Sequence, residues 1–390
     1  MRFLIELTYF RPHTSGLTIY AERLGKALFR RGHQVTVLTS QYQRQLPREE
    51  EMDGIRVVRV PVAFRISKGV VMPQFGFIAQ KLVMESDVIS LHLPQLDAAG
   101  LAIRGRLFKK PTIITYHCDL KMPPGFISRA ANLGVRVMNN LAAIFTHRIV
   151  AYTQDYVDHS NYLRRYANKI RIIPPPVILP PASATRVEEF RQLYNPERRG
   201  PIIGIAARFA SEKGIDILLN SLDTIIKKYP SVQVWFAGPY QGIIGEERYF
   251  QQLTPIINKH IDNETWKFLG SLSPEEMSAY YPNLDLLVLP SLNSTESFGL
   301  VQIEAMMNGI PVVASDLPGV RQPILRHKFG KIFPKGNSAA LAEAAIEVLE
   351  KKLKGKNNSA KLITTYSPDL VAQAYEDLAL EINNSIHSHS

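Results

Sequence analysis

Short apolar runs, rich in β-branched residues, alternate along this chain with longer stretches whose apolar positions recur every three to four residues. The first pattern belongs to buried strands and the second to helices with one buried face. Their regular alternation predicts parallel sheets wrapped by helices. In the first half, strands are expected at 3–7, 35–39, 55–60, 88–92, 112–117 and 148–152. Between the first two, a helix is expected over 18–31. Ile19, Leu24 and Leu28 point inward there, Glu22, Arg23, Lys26 and Arg30 point outward, and Gly32 stops it. The pattern breaks at 172–181 (IIPPPVILPP), where the prolines exclude regular structure and predict an interdomain linker. It restarts with strands expected at 201–207, 232–237, 265–269, 285–289 and 311–314, and helices near 215–229, 274–282, 299–308 and 338–354. An amphipathic segment at 367–383 has no strand after it and is expected to pack back on the first domain.

The expected fold class is therefore α/β, with two doubly wound, Rossmann-like domains over residues 1–176 and 177–366, then a C-terminal helix and tail over 367–390. Two such domains in series would put the ligand-binding carboxyl ends of their strands on either side of a cleft, which suits a two-substrate enzyme.

Composition narrows the class. A hydrophobic fraction of 45% with 21% charged residues is that of a folded chain. No apolar run approaches the roughly 18 residues that span a bilayer, and Glu6 breaks the first run, which reads as a strand and not a signal peptide. The single cysteine, Cys118, excludes an intrachain disulfide and fits a reducing compartment, so a cytoplasmic location is expected. Charge is uneven. Residues 1–180 hold 25 Lys/Arg against 12 Asp/Glu, and the remainder 21 against 23. The basic half points to an anionic partner. With no zinc spacing, recognition helix or aromatic-rich basic stretch, anionic lipid headgroups are favoured over nucleic acid. Residues 121–138 (KMPPGFISRAANLGVRVM) mix apolar residues with Arg129 and Arg136, as expected of a helix on an anionic membrane. Phe126, Ile127, Leu133, Val137 and Met138 are alternatively core residues.

The densest chemical signal is 290–305 (PSLNSTESFGLVQIEA). A strand ends, a polar loop carries Glu296, and a helix begins near Phe298 and Gly299 with Glu304 in its second turn. The amides of Ser297, Phe298, Gly299 and Leu300 would form an anion site at the helix start. Each carboxylate alone reads as a cap or a solvated helix residue, but flanking such an amide cluster the pair can grip hydroxyl groups on either side of a bound diphosphate. The second signal is 206–214 (AARFASEKG), where Arg208 and Lys213 lie across a tight loop at a strand end and suit a pyrophosphate. It is not a Walker loop. Third, 9–17 (YFRPHTSGL) places Gly16 at a helix start, where backbone can approach a phosphate. Fourth, 115–119 (TYHCD) places His117 at a strand end. It lacks partners at metal-ligand spacing, and Cys118 reads as a packed thiol.

These four segments, in this order, resemble family 4 of the glycosyltransferases, enzymes of the two-domain GT-B fold. The resemblance spans nearly the whole chain. Glu296 and Glu304 match its Glu-x7-Glu motif, which implies that Glu304 holds ribose hydroxyls and Glu296 those of the donor sugar. Arg208 and Lys213 match the pair used on the donor diphosphate, Gly16 the glycine-rich loop at the distal phosphate, and His117 the acceptor-domain histidine beside the donor sugar. The chain departs from the family at Ser15-Gly16, where two adjacent glycines are usual, and at 318–322 (PGVRQ), where Gly-Gly-x-x-Glu is usual. The resemblance implies retaining, front-face transfer, the leaving diphosphate helping to deprotonate the acceptor hydroxyl. With Arg208, Lys213 and the helix amides available for the leaving charge, no metal and no cofactor are expected. The expected partners are a UDP- or GDP-hexose donor and a glycan or lipid-linked acceptor, with the basic half peripheral to a membrane. A sugar-nucleotide epimerase and a non-catalytic sugar-nucleotide binder are the alternatives. A phosphorylase would need a pyridoxal lysine, and none is identifiable.

Overall fold

The computed structural model describes residues 1–66, 69–120, 126–355 and 359–388. The chain divides into two compact units: Met1–Val177 with Tyr366–Ser390, and Ile178–Thr365. The boundary falls inside the proline run. Each unit has the expected α/β architecture.

Unit 1 is built on an eight-stranded sheet. Its strands are β1 (Arg2–Glu6), β2 (Gln34–Gln41), β3 (Glu49–Met52), β4 (Ile55–Pro61), β7 (Val88–Leu93), β8 (Thr112–Tyr116), β9 (Arg148–Ala151) and β10 (Ile170–Ile172), with β5 (Phe64–Ile66) and β6 (Gly69–Val71) forming a separate hairpin. The order is β10-β9-β8-β7-β1-β2-β4-β3, parallel except for the β3–β4 pair. Strand β7 is buried at every position, the signature of a strand covered on both faces. Strand β3 was not expected, because its sequence is Glu-Glu-Glu-Met and it sits at an edge. Three acids there discourage pairing with another chain. One of them, Glu50, pairs with the guanidinium of Arg59, which is buried in β4.

Two helices of unit 1 lie against each other and join the two ends of the chain. Gly16–Arg30 begins at an N-cap Ser15, whose hydroxyl accepts from the Thr18 amide at 3.2 Å. Pro368–Ser388 returns from the end of the chain to cover this unit. The Val177 amide donates to the Tyr366 carbonyl at 2.9 Å, tying the two crossings together. Tyr375 then buries its hydroxyl between Tyr20 (2.8 Å) and Thr115 (2.6 Å). Ion pairs Arg31–Glu376 and Arg148–Glu381 flank that contact at 2.7 and 2.8 Å.

Unit 2 holds a six-stranded parallel sheet of β11 (Ile202–Ala206), β12 (Gln233–Ala237), β13 (Trp266–Gly270), β14 (Leu286–Leu289), β15 (Val312–Ser315) and β16 (Gly330–Phe333), in the order β13-β12-β11-β14-β15-β16. The order reverses between β11 and β14. Such a switch point leaves a crevice at the carboxyl ends of the two strands, where helices depart to opposite faces. The corresponding reversal in unit 1 lies between β1 and β7. Helices at Phe75–Glu85, Ala98–Leu107, Ala184–Tyr194 and Glu247–Asp262 were not expected. The last carries Pro255 inside it, which disguises its periodicity.

Candidate functional site

The two densest motifs of unit 2 follow the two strands at its switch point. After β11 the chain makes a tight loop anchored by Phe209, which is buried against Phe236, Tyr249 and Phe250 with ring centroids 5.1–5.7 Å apart. Glu246, the residue that caps the helix Glu247–Asp262, accepts from the Ser211 amide at 2.9 Å. The loop ends at Gly214, whose φ is +66°. A Cβ there would lie 2.1 Å from the Pro290 carbonyl oxygen, so glycine is required both by the left-handed backbone and by close approach. The Leu292 amide donates to the Glu212 carbonyl at 2.9 Å. The loops after β11 and β14 are thus locked to each other through their backbones.

That lock brings Lys213 and Glu296 together, Nζ to Oε2 at 2.6 Å, both side chains about four-fifths buried. Arg208 pairs with Glu212 in the same loop. Two cations and two carboxylates, 83 residues apart in sequence for the Lys213–Glu296 pair, form one polar cluster. Asn293 shapes the second loop by accepting from the Thr295 amide (3.0 Å) and hydroxyl (2.6 Å). Phe298 is buried, and Gly299 (φ +77°) turns the chain into the helix Leu300–Met307. The amides entering this helix carry the partial positive charge of its start.

Glu304 lies in the second turn, as its spacing suggested, and is 6% exposed. The hydroxyl of Tyr281 donates to its Oε2 at 2.8 Å. Tyr281 went unnoticed in the sequence, since a tyrosine on a neighbouring helix leaves no spacing signal. Gln302 lies inside the 290–305 motif with no role expected of it: its amide nitrogen donates to the carbonyls of Phe298 (2.8 Å) and Val320 (2.9 Å), fastening the helix start to the 318–322 loop.

In unit 1, Gly16 is the first helical residue, with open space where its Cβ would be. The preceding loop is held by buried Arg59, which donates to the carbonyls of Arg11 (2.9 Å) and Pro47 (3.1 Å). His117 differs from expectation. It follows β8, but its ring turns into the unit and is only 8% exposed. Its Nε2 lies 2.8 Å from His92 Nδ1, and its Nδ1 lies 2.5 Å from the Tyr152 hydroxyl. Burial, reinforced by His92, pushes its pKa well below the usual histidine range, so the ring is neutral near pH 7. Both ring nitrogens are engaged inside the unit, and the backbone amide donates to the Leu93 carbonyl at 3.0 Å. The reason is packing: Tyr20 on the first helix meets the His117 ring edge-on at 5.1 Å and fills the space beside it. Cys118 is half-buried.

Among the described residues, no group of three or more His, Cys, Asp or Glu is placed to hold a metal ion. No described helix is long and apolar enough to cross a membrane. Of the expected membrane-surface helix, Lys121 to Gly125 lie outside the described residues, as do the side chains of Phe126, Ile127 and Arg129. Leu133 and Val137 are 63% and 48% exposed beside exposed Arg136, while Met138 packs against the core.

Residues 186–365 match the family described as Glycosyl transferases group 1, and residues 15–176 match the Glycosyl transferase 4-like domain. Among curated proteins, the chain is 24% identical over 336 residues to a phosphatidyl-myo-inositol mannosyltransferase of Mycobacterium leprae, covering 86% of this chain and 83% of that one. It is 27% identical over 354 residues to a GDP-mannose-dependent alpha-mannosyltransferase of Mycobacterium tuberculosis, covering 86% and 84%. Among solved structures, Anabaena Alr3699/HepE in complex with UDP-glucose superposes with a TM-score of 0.76 at 21% identity over the whole of both chains, a likeness of fold.

Proposed function

Because this chain belongs to the group 1 glycosyltransferases of family 4, with the GT-B fold, we propose that it transfers a hexose with retention of configuration from a UDP- or GDP-sugar to a hydroxyl of a glycan or lipid-linked acceptor, without a metal. The observation that carries this reading is the Lys213–Glu296 contact of 2.6 Å between the two switch-point loops. Each carboxylate of the cluster stands in for part of what a donor would bring. Glu296 neutralises Lys213, and Glu212 neutralises Arg208. On donor binding the diphosphate takes both cations, and Glu296 is released to accept from sugar hydroxyls.

Buried Glu304, already oriented by Tyr281, holds the ribose hydroxyls. As the bond from the anomeric carbon to the diphosphate breaks, negative charge grows on the leaving oxygens. Arg208, Lys213 and the amides of Ser297 to Leu300 are fixed beforehand to receive it, which is the electrostatic work otherwise done by a divalent ion. The acceptor belongs to unit 1. The similarity to a phosphatidyl-myo-inositol mannosyltransferase and to a GDP-mannose-dependent mannosyltransferase supports a GDP-sugar donor and a lipid acceptor. Exposed Leu133, Val137 and Arg136 support contact with an anionic membrane surface.

The test is mass-spectrometric transfer, without metal and with chelator present, from UDP-, GDP-, ADP- and dTDP-sugars to a bacterial membrane lipid extract. One donor should give a new glycolipid that is lost in Glu296→Ala. Activity abolished by the chelator and restored by Mg²⁺ refutes the metal-free mechanism, and failure to consume any donor favours a non-catalytic binder. Co-sedimentation with vesicles should be stronger for anionic than for zwitterionic lipid.

A further inference from the structure

The transferase reading leaves unused the last residue of the Thr-Tyr-His-Cys-Asp segment. Asp119 stands just beyond the carboxyl end of β8, half-buried, and unlike many acids of unit 1 it has no basic partner among the described residues. Glu22, Glu50, Asp53, Asp87, Glu376 and Glu381 each pair with a lysine or arginine. Asp119 pairs with none among the described residues, although this half of the chain holds about two basic residues for each acid. Instead, two neutral hydroxyls converge on one of its oxygens. Tyr116 donates to Oδ1 at 2.7 Å and Ser160 donates to the same atom at 2.8 Å. The Asp119 amide donates to the Tyr156 hydroxyl at 2.7 Å.

All three partners are at most 4% exposed, and they come from β8 and from the helix Gln154–His159 and its cap. The ring of Tyr116 is stacked on Tyr162 with centroids 4.6 Å apart. Burial, and then the charge of Asp119, hold the Tyr116 phenol well above its usual range, so it stays a donor. The Ser160 hydroxyl accepts in turn from the Leu163 amide at 3.3 Å. The rotamer of this carboxylate is therefore fixed without neutralising its charge. Its second oxygen, Oδ2, has no hydrogen bond among the described residues. An ionised oxygen held rigid in this way is a strong acceptor for a ligand hydroxyl.

We propose that Oδ2 of Asp119 binds the acceptor, accepting a hydrogen bond from a hydroxyl of its sugar or polyol group, with Tyr116 and Ser160 as positioning residues. The inference rests on the transferase reading, in which unit 1 receives the acceptor.

Asp119→Asn separates this role from a structural one. Its amide carbonyl can still accept from both hydroxyls, preserving the crosslink, while the atom in place of Oδ2 changes from acceptor to donor. The assay titrates the membrane lipid extract at saturating donor sugar, alongside calorimetric binding of UDP and GDP and thermal unfolding. Asp119→Asn is expected to raise the apparent acceptor KM about 10- to 100-fold, the worth of one charge-assisted hydrogen bond. Nucleotide affinity should stay within about twofold of wild type and Tm within about 2 °C. Ser160→Ala, which leaves the carboxylate and Tyr116 in place, should raise the acceptor KM about 3- to 10-fold, and it carries the test if Asp119→Asn does not fold. An active wild type with unchanged acceptor dependence in these variants overturns this inference alone. An inactive wild type overturns the transferase reading and this inference with it.

Discussion

Replacing Gly214 by alanine tests whether the two switch-point loops are held together as described. Two separate costs arise. An L-residue at φ +66° is in the left-handed region, at about 1–2 kcal/mol. The new Cβ would also stand 2.1 Å from the Pro290 carbonyl oxygen. That oxygen is backbone at the end of a buried strand and cannot rotate away, so the loops must part by about 1 Å, at a further 1–3 kcal/mol typical of overpacking. Gly242, in the same unit, supplies the control. Its φ is +65°, but nothing lies within 4 Å of its Cβ position. Gly242→Ala should thus cost only the backbone strain, roughly 2–6 °C in Tm, and Gly214→Ala roughly 5–15 °C. Lys213 adjoins the displaced residue and lies 2.6 Å from Glu296. Calorimetric affinity for UDP or GDP should therefore fall about 10- to 100-fold in Gly214→Ala, as when one charge-assisted hydrogen bond is lost, and stay near wild type in Gly242→Ala. Equal Tm losses in the two variants, with equal nucleotide affinity, would refute the argument that the loops are locked through this contact.

Buried polar groups give three further expected outcomes. Tyr281→Phe withdraws a donor from the buried Glu304 carboxylate and should lower stability by about 1–3 kcal/mol in urea titrations, while weakening nucleotide binding measured by calorimetry. Tyr375→Phe removes the hydroxyl between Tyr20 and Thr115. It should cost about 1–3 kcal/mol and raise proteolysis of the C-terminal helix, and an unchanged Tm would show that this helix is held by its ion pairs instead. The Asp97 carboxyl is pushed up to about 6 by burial. Its folded value exceeds its unfolded one, so its contribution is fully present below about pH 4 and is lost as pH rises through 6. Asp97→Asn should accordingly match wild type in urea midpoint near pH 4 and exceed it at pH 7.5, by up to about 3 kcal/mol. A gain at pH 4 instead would contradict the assignment.

Most of the architecture was legible along the chain because a strand covered on both faces must be largely apolar, as β14 (LLVL) is throughout and β7 (VISLHL) is but for Ser90 and His92, and a helix between such strands must alternate with a period near 3.6. Elements that escaped notice lacked that constraint. Strand β3 is an acidic edge, β16 is four residues with one lysine, and the helix Glu247–Asp262 contains a proline. The donor motifs were legible for a different reason: glycine, paired cations and paired carboxylates cluster within two short loops whose chemistry is local.

Which of those residues meet was decided by tertiary structure. Sequence alone determined that Lys213 and Glu296 lie at the ends of strands. Only the sheet order, with β11 beside β14 though the two are far apart in sequence, brings them within 2.6 Å. Likewise His117 was visible as a strand-end histidine, but its inward ring follows from Tyr20, Tyr152 and His92 arriving from three other elements. Glu304 read as a site carboxylate, but its burial and its bond from Tyr281 were set by a neighbouring helix. Local chemistry is written in local sequence. Side-chain direction, burial and protonation depend on neighbours that the chain supplies from far away, and so they are settled only when the sheets have formed.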